Sequence, residues 1–179
     1  MNLDDTREHI HLHTSEKKLQ WWGYGEWVEE ADKIRWEYRG IECLITRTFL
    51  HESAEYDLAF GGHLCGYISL PLDHPWASKE WDDIDCDVHG GITFSQESDG
   101  WRQIGFDCAH FRDLVPSMHL VDRENRADFS AKHPGAAALR DLFREMSPDT
   151  YKNVAFVIKQ CESLVDQALE VYAPKPTNS

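Results

Sequence analysis

The stretch Ile34-Arg35-Trp36-Glu37-Tyr38-Arg39-Gly40-Ile41-Glu42-Cys43-Leu44-Ile45 decides the fold. Ile34, Trp36 and Tyr38 alternate with charged residues. Ile41, Cys43 and Ile45 resume the alternation after Arg39-Gly40. A period of two puts one set of side chains on one face of an extended chain, and a turn between two such runs specifies a β-hairpin. A second hairpin is expected further along. Val88 to Ser95 and Trp101 to Cys108 are β-prone runs, and Glu97-Ser98-Asp99-Gly100 supplies the turn chemistry between them. Between the hairpins, Gly61-Gly62 reads as a turn, and His63 to Leu70 as a strand stopped by Pro71. Near the start, His9, His11 and His13 alternate with Ile10 and Leu12, a short strand with a histidine face.

Beyond residue 114 the period changes. His133-Pro134-Gly135 precedes an expected short helix from Ala136 to Met146. Ser147-Pro148 reads as an N-cap followed by proline at the first helical position. Val154, Val157, Cys161, Leu164, Val165 and Ala168 then recur at helical spacing to about Tyr172, and Pro174 and Pro176 end the run. Strands first and helices after imply an α+β fold: an antiparallel β-sheet built from hairpins, with a long C-terminal α-helix packed on one face. The expected organisation is a polar, Trp-rich arm over 1–33, a single domain over 34–172 and a disordered tail over 173–179. Trp21, Trp22, Tyr24 and Trp27 make the arm too apolar to float free, so it is expected to dock.

Composition narrows the function classes. The 179 residues carry 18 Lys+Arg against 32 Asp+Glu, a net charge of −14. Such a chain repels long nucleic acids and anionic membranes, though not a small anion held in a local basic pocket. No apolar run approaches the ~18 residues of a membrane span. The start, Asn2-Leu3-Asp4-Asp5, is acidic and unlike a signal peptide. Five cysteines without a CxxC motif suit free thiols in a reducing cytosol. Seven Trp within 12% aromatic residues are many for this length.

Candidate chemistry concentrates in residues 61–113, where His, Asp and Cys stand among glycines. One reading is a metal site. Asp87 and His89 would share a strand face, and Asp107 and His110 lie three apart at a strand end. Two imidazoles and two carboxylates suit zinc or manganese activating water, as in a hydrolase or phosphodiesterase, with His63 as a base. A second reading is a nucleotide pocket that needs no cofactor. His89, Gly90 and Gly91 would let backbone N–H groups approach phosphate. Tyr67, Trp76 and Trp101 would stack on bases, each stack contributing about 1–3 kcal/mol. Arg102, Asp107 and His110 would complete the ligand contacts. Core packing is the competing use of the aromatics. A third reading, Cys65 with His63 or Cys108 with His110 as a nucleophile–base pair, requires a local pairing that catalytic sites seldom use. The acidic run from Asp82 to Asp87 lacks EF-hand spacing and reads as a solvated loop.

Several words occur together: Tyr38-Arg39-Gly40-Ile41-Glu42-Cys43, Gly62-His63-Leu64-Cys65-Gly66-Tyr67-Ile68, Asp73-His74-Pro75, Asp87-Val88-His89-Gly90-Gly91-Ile92-Thr93-Phe94 and Gly105-Phe106-Asp107-Cys108-Ala109-His110. With them, the segment from about Trp36 to Tyr172 resembles a family of small bacteriophage and prophage proteins. The resemblance implies a phage protein working in the host bacterial cytosol. By analogy with phage counter-defence factors, it implies an oligomeric sponge that sequesters a nucleotide signal of CBASS or Thoeris immunity. An inhibitor that docks its Trp-rich arm on a host enzyme is the remaining expectation.

Overall fold

A computed structural model describes residues 6–53, 58–118 and 149–172, with the backbone alone for 50–53 and 58–60. Six strands, β1 (Glu8–Ile10), β2 (Lys33–Tyr38), β3 (Ile41–Ser53), β4 (Leu58–Pro71), β5 (Phe94–Ser98) and β6 (Trp101–Asp107), form one sheet in the order β1-β2-β3-β4-β6-β5. Every pairing is antiparallel. Helix α1 (Ser15–Trp22) follows β1, and α2 (Val154–Tyr172) closes the described chain. The fold is therefore α+β, as the order of periodicities implied.

The register follows the hydrophobic pattern. Trp36 lies opposite Cys43 and Ile34 opposite Ile45, so the alternation of the first hairpin fills one face. That face also carries Leu64, Ile68, Leu70, Ile104 and Phe106, all buried. Val157, Cys161, Leu164, Val165 and Ala168 of α2 pack onto it. The helix approaches closely because β4 carries Gly66. A Cβ there would lie 2.6 Å from Phe106 Cζ and 2.7 Å from Cys161 Sγ.

Three expectations are corrected. Gly61 and Gly62 are not a turn but part of β4, where the pairing with β3 shifts register between Arg47 and Phe49. Their φ values of 100° and 88° explain why glycines stand at this irregularity. Val88 to Thr93 is not a strand, and β5 begins only at Phe94. The second helix begins at Val154. It is capped by Asn153, whose Oδ1 accepts from the Phe156 N–H at 3.0 Å, rather than by Ser147-Pro148. Ser147-Pro148, the expected helix Ala136 to Met146 and the tail 173–179 lie outside the described residues.

The segment before β2 is built into the molecule. Trp21, Trp22, Trp27 and Val28 form a second apolar cluster with Phe49, Leu114 and Tyr151. Trp22 stacks on Phe49 at 5.2 Å, and Trp27 meets the edge of Tyr151 at 5.1 Å. Beside this cluster lies a buried ionic network. Lys18, Asp32 and Arg47 have fully buried side chains. Asp32 Oδ1 accepts from Lys18 Nζ at 3.0 Å and Arg47 Nε at 3.1 Å. Asp32 Oδ2 accepts from the backbone N–H groups of Leu12 and His13. Arg47 also donates to Gly62 O at 2.8 Å, the Tyr151 hydroxyl at 2.7 Å and Glu30 Oε2 at 2.9 Å. Glu30 Oε1 accepts from the Val154 N–H at 2.8 Å, a carboxylate at the positive end of α2.

Candidate functional site

Three segments distant in sequence supply the site: β4 with His63, the loop after Val88 with His89-Gly90-Gly91, and the end of β6 running into the turn Asp107–Asp113. Local chemistry sets the turn. Asp107 Oδ1 accepts from the Ala109 N–H at 3.0 Å, and the Asp113 N–H donates to His110 O at 2.9 Å. Residues 112–114 are then tied to Thr150. Thr150 N–H donates to Arg112 O at 3.0 Å, and Leu114 N–H donates to Thr150 O at 3.0 Å. This brings Lys152 beside the turn.

Asp113 is the hub, with a side chain only 3% exposed. Its Oδ2 lies 2.7 Å from His89 Nε2 and accepts from the His110 N–H at 2.9 Å. Lys152 Nζ stands 3.6 Å from Oδ1. A carboxylate only accepts, so Nε2 of His89 carries the proton in this contact. Gln160 of α2 accepts from the His89 backbone N–H at 2.8 Å, and the His89 ring meets the edge of Phe156 at 5.3 Å. His110 lies edge-on to His89, with ring centroids 5.4 Å apart. Its Nε2 is buried, has no hydrogen-bond partner among the described residues and stands 3.8 Å from Asp107 Oδ1. Gly90 makes this packing possible: a Cβ there would sit 1.8 Å from His110 Nε2.

His63 contacts Thr48 Oγ1 through Nδ1 at 3.0 Å. Burial pushes its pKa down, and Arg47 and His110 add to that, while Asp107 and Asp113 oppose it. The sign follows. The folded state disfavours the imidazolium, so the unfolded chain binds more protons in the window below the ordinary histidine value of about 6.5. The stability contributed by neutral His63 is complete above that value and is lost as pH falls through the lowered one. The His63→Gln variant is therefore expected to lose less stability than the wild type between pH 7.5 and pH 5 in urea denaturation. Equal losses would refute the assignment.

The expected residues divide in space. His89, Gly90, Asp107 and His110 come together, His63 lies near enough for Asp107, Asp113 and His110 to act on its charge, and Gly91 adjoins them with nothing among the described residues within 4 Å of where a Cβ would stand. Tyr67 stands on the face of Asp107, since Cys65 pairs with Asp107 and Tyr67 with Gly105. Its hydroxyl is pushed up to about 12, mainly by burial, and its ring meets Phe94 edge-on. Trp76 is 1% exposed and belongs to the core. Trp101 is at the opposite end of β6, opposite Pro71, six residues and ~20 Å along the strand from Asp107. Arg102 donates through Nε to Ser95 Oγ and through Nη1 to Ala77 O, both at 2.7 Å, far from the His89–His110 group. Asp87 is exposed, and its backbone N–H donates to Gln167, seven residues along α2 from the Gln160 that holds His89. Of the four metal ligands considered, His89, Asp107 and His110 are neighbours and Asp87 is apart. Among the described residues no group of three or more His, Cys, Asp or Glu is arranged to hold a metal ion.

Asp113 and Lys152 were not among the expected residues. Asp113 carried a signal, since it follows His110 at turn spacing; Lys152 carried none. The thiols do not suit nucleophilic use. Burial pushes Cys65 up to about 11 and Cys108 higher, so both stay protonated at neutral pH. A separate open depression of about 310 Å³ is lined by Glu8, Arg35, Trp36, Glu37 and Glu42, where three carboxylates meet one guanidinium. No described helix is long and apolar enough to cross a membrane. No protein-family model, curated protein or solved structure matches the chain.

Proposed function

We propose that the protein binds and sequesters a small phosphate-bearing nucleotide, of cyclic dinucleotide or cyclic ADP-ribose type, in the cytosol of a phage-infected bacterium. The observation that carries this reading is the convergence of His63, His89 and His110 with Lys152 beside Gly90-Gly91. Imidazole and ammonium groups beside the open backbone of Gly91 suit phosphate oxygens. Phe111, 90% exposed, follows His110 directly, and the Arg112 guanidinium lies 5.4 Å from its ring centroid. That pair is a better stacking platform for a base than Trp76 or Trp101. The net charge of −14 leaves the site to a small ligand rather than a long polyanion.

Calorimetry against a panel of cyclic dinucleotides and cyclic ADP-ribose isomers tests it. The expected result is one ligand bound with Kd at or below about 1 µM, roughly −8 kcal/mol, and recovered intact. No binding in that range across the panel would overturn the reading. One observation favours a second reading, hydrolysis. The His89–Asp113 contact is a base held by a buried carboxylate, an arrangement that serves general acid–base catalysis. Cleaved nucleotide recovered from the mixture, with turnover that follows added zinc or manganese, would select it.

A further inference from the structure

We propose that two copies of this chain pair edge to edge through β5, giving one continuous antiparallel sheet across a two-fold axis at Gln96. β5 ends the sheet order, and among the described residues no strand pairs with its outer side. Exposed edges are ordinarily guarded by charged side chains, Lys above all, by Pro, by a bulge or by extreme shortness. β5 has five residues, Phe94-Ser95-Gln96-Glu97-Ser98, contains no Lys or Pro and a single charge, Glu97, and pairs with β6 without a register break. The edge β1 at the other end of the sheet has only three residues.

Charge selects both the partner and the register. Directly opposed residues share a face, so Ser95 and Glu97 lie on the face of Ile104 and Arg102. Phe94, Gln96 and Ser98 lie on the other face, with Gly105, Gln103 and Trp101. A two-fold axis normal to the sheet reverses the strand and keeps its faces. Centring the pair on Gln96 sets Glu97 of one copy opposite Ser95 of the other. The Ser95 hydroxyl accepts from Arg102 at 2.7 Å, so the incoming carboxylate arrives beside a guanidinium, twice per dimer. Centring on Glu97 instead would oppose two carboxylates, which is unfavourable. In the favoured register Phe94 of each copy lies opposite Ser98 of the other. Beyond Ser98 stands Trp101, 38% exposed on the same face, at the rim of the contact. A five-residue ladder with this rim is a small interface, so the dimer is expected to dissociate in the micromolar range.

The experiment is sedimentation equilibrium on the full chain from about 1 to 300 µM, spanning that range. The wild type is expected to pass from 20.7 kDa to twice that mass. Gln96 is exposed, so Gln96→Lys leaves the fold intact and sets two ammonium groups face to face; it is expected to stay at monomer mass. Gln96→Cys is expected to form a reducible dimer on oxidation that the wild type does not, because opposed antiparallel residues have Cα atoms within disulfide range. Monomer mass at every concentration would overturn the proposal. So would a Gln96→Lys variant that assembles as tightly as the wild type.

Discussion

Replacing Arg47 by methionine is expected to cost about 3–5 kcal/mol of folding stability, the usual penalty for leaving buried charge without its partner. Arg47 is fully buried and donates to Asp32, Glu30, Tyr151 and Gly62 at once. Methionine fills much of the volume and supplies no donor. Asp32 would keep Lys18 and two backbone N–H groups, whereas Glu30 would keep only the Tyr151 hydroxyl and the Val154 N–H. Urea denaturation followed by tryptophan fluorescence reads the loss, since Trp21, Trp22 and Trp27 sit beside the network. Arg39→Met is the control. Its contact with Asp166 is shorter, 2.6 Å, yet both side chains are about half exposed, and no measurable loss is expected. Equal effects at the two positions would mean that the interior network is as hydrated as the surface pair.

Gly90→Ala is expected to weaken ligand binding by about 100-fold, roughly 2.7 kcal/mol, while Gly91→Ala weakens it far less. Both glycines have positive φ, 71° and 81°, so alanine strains the backbone similarly at each. They differ in what a side chain meets. At Gly90 it enters the ring position of His110, and at Gly91 it meets nothing within 4 Å. The difference between the two variants therefore isolates the placement of His110. The imidazole resonances of His110 and His89 in an NMR spectrum of the free protein provide a readout independent of any ligand: they should move in Gly90→Ala and stay nearly fixed in Gly91→Ala. Variants that bind alike would remove His110 from the site.

The hairpins were legible because their signals are local. Alternation over Ile34 to Ile45 and the turn Asp99-Gly100 need no knowledge of the rest of the chain. The helix Val154–Tyr172 was legible in its apolar stripe but not in its start, because the caps are Asn153 and Glu30, one of them 124 residues away. Gly61-Gly62 misled because glycine pairs mark turns and strand irregularities alike, and the choice depends on the partner strand. The site was half legible. Histidines and aspartates among glycines drew attention to His89, Asp107 and His110, but the use of each aromatic depends on which face packs. Trp76 became core, and Tyr67 paired with Phe94. The ionic network was not legible. Lys18, Glu30 and Asp32 sit in stretches whose polarity resembles a solvated surface, Arg47 interrupts the apolar face that Cys43 and Ile45 begin, and only their convergence shows them to be a buried network.

Glu30 holds the Tyr151 hydroxyl at 2.6 Å and the Val154 N–H at 2.8 Å. On the ribosome, Glu30 emerges more than a hundred residues before its partners Tyr151 and Val154. At about 5–20 residues per second Glu30 and Trp27 wait several seconds or more for Tyr151, while Trp21 and Trp22 can already pack on Phe49. The hairpins can close during that wait. The segment before β2 is thus fixed in two stages, and a nascent protein stalled before residue 151 would hold it through β1 and Asp32 without the Glu30 contacts.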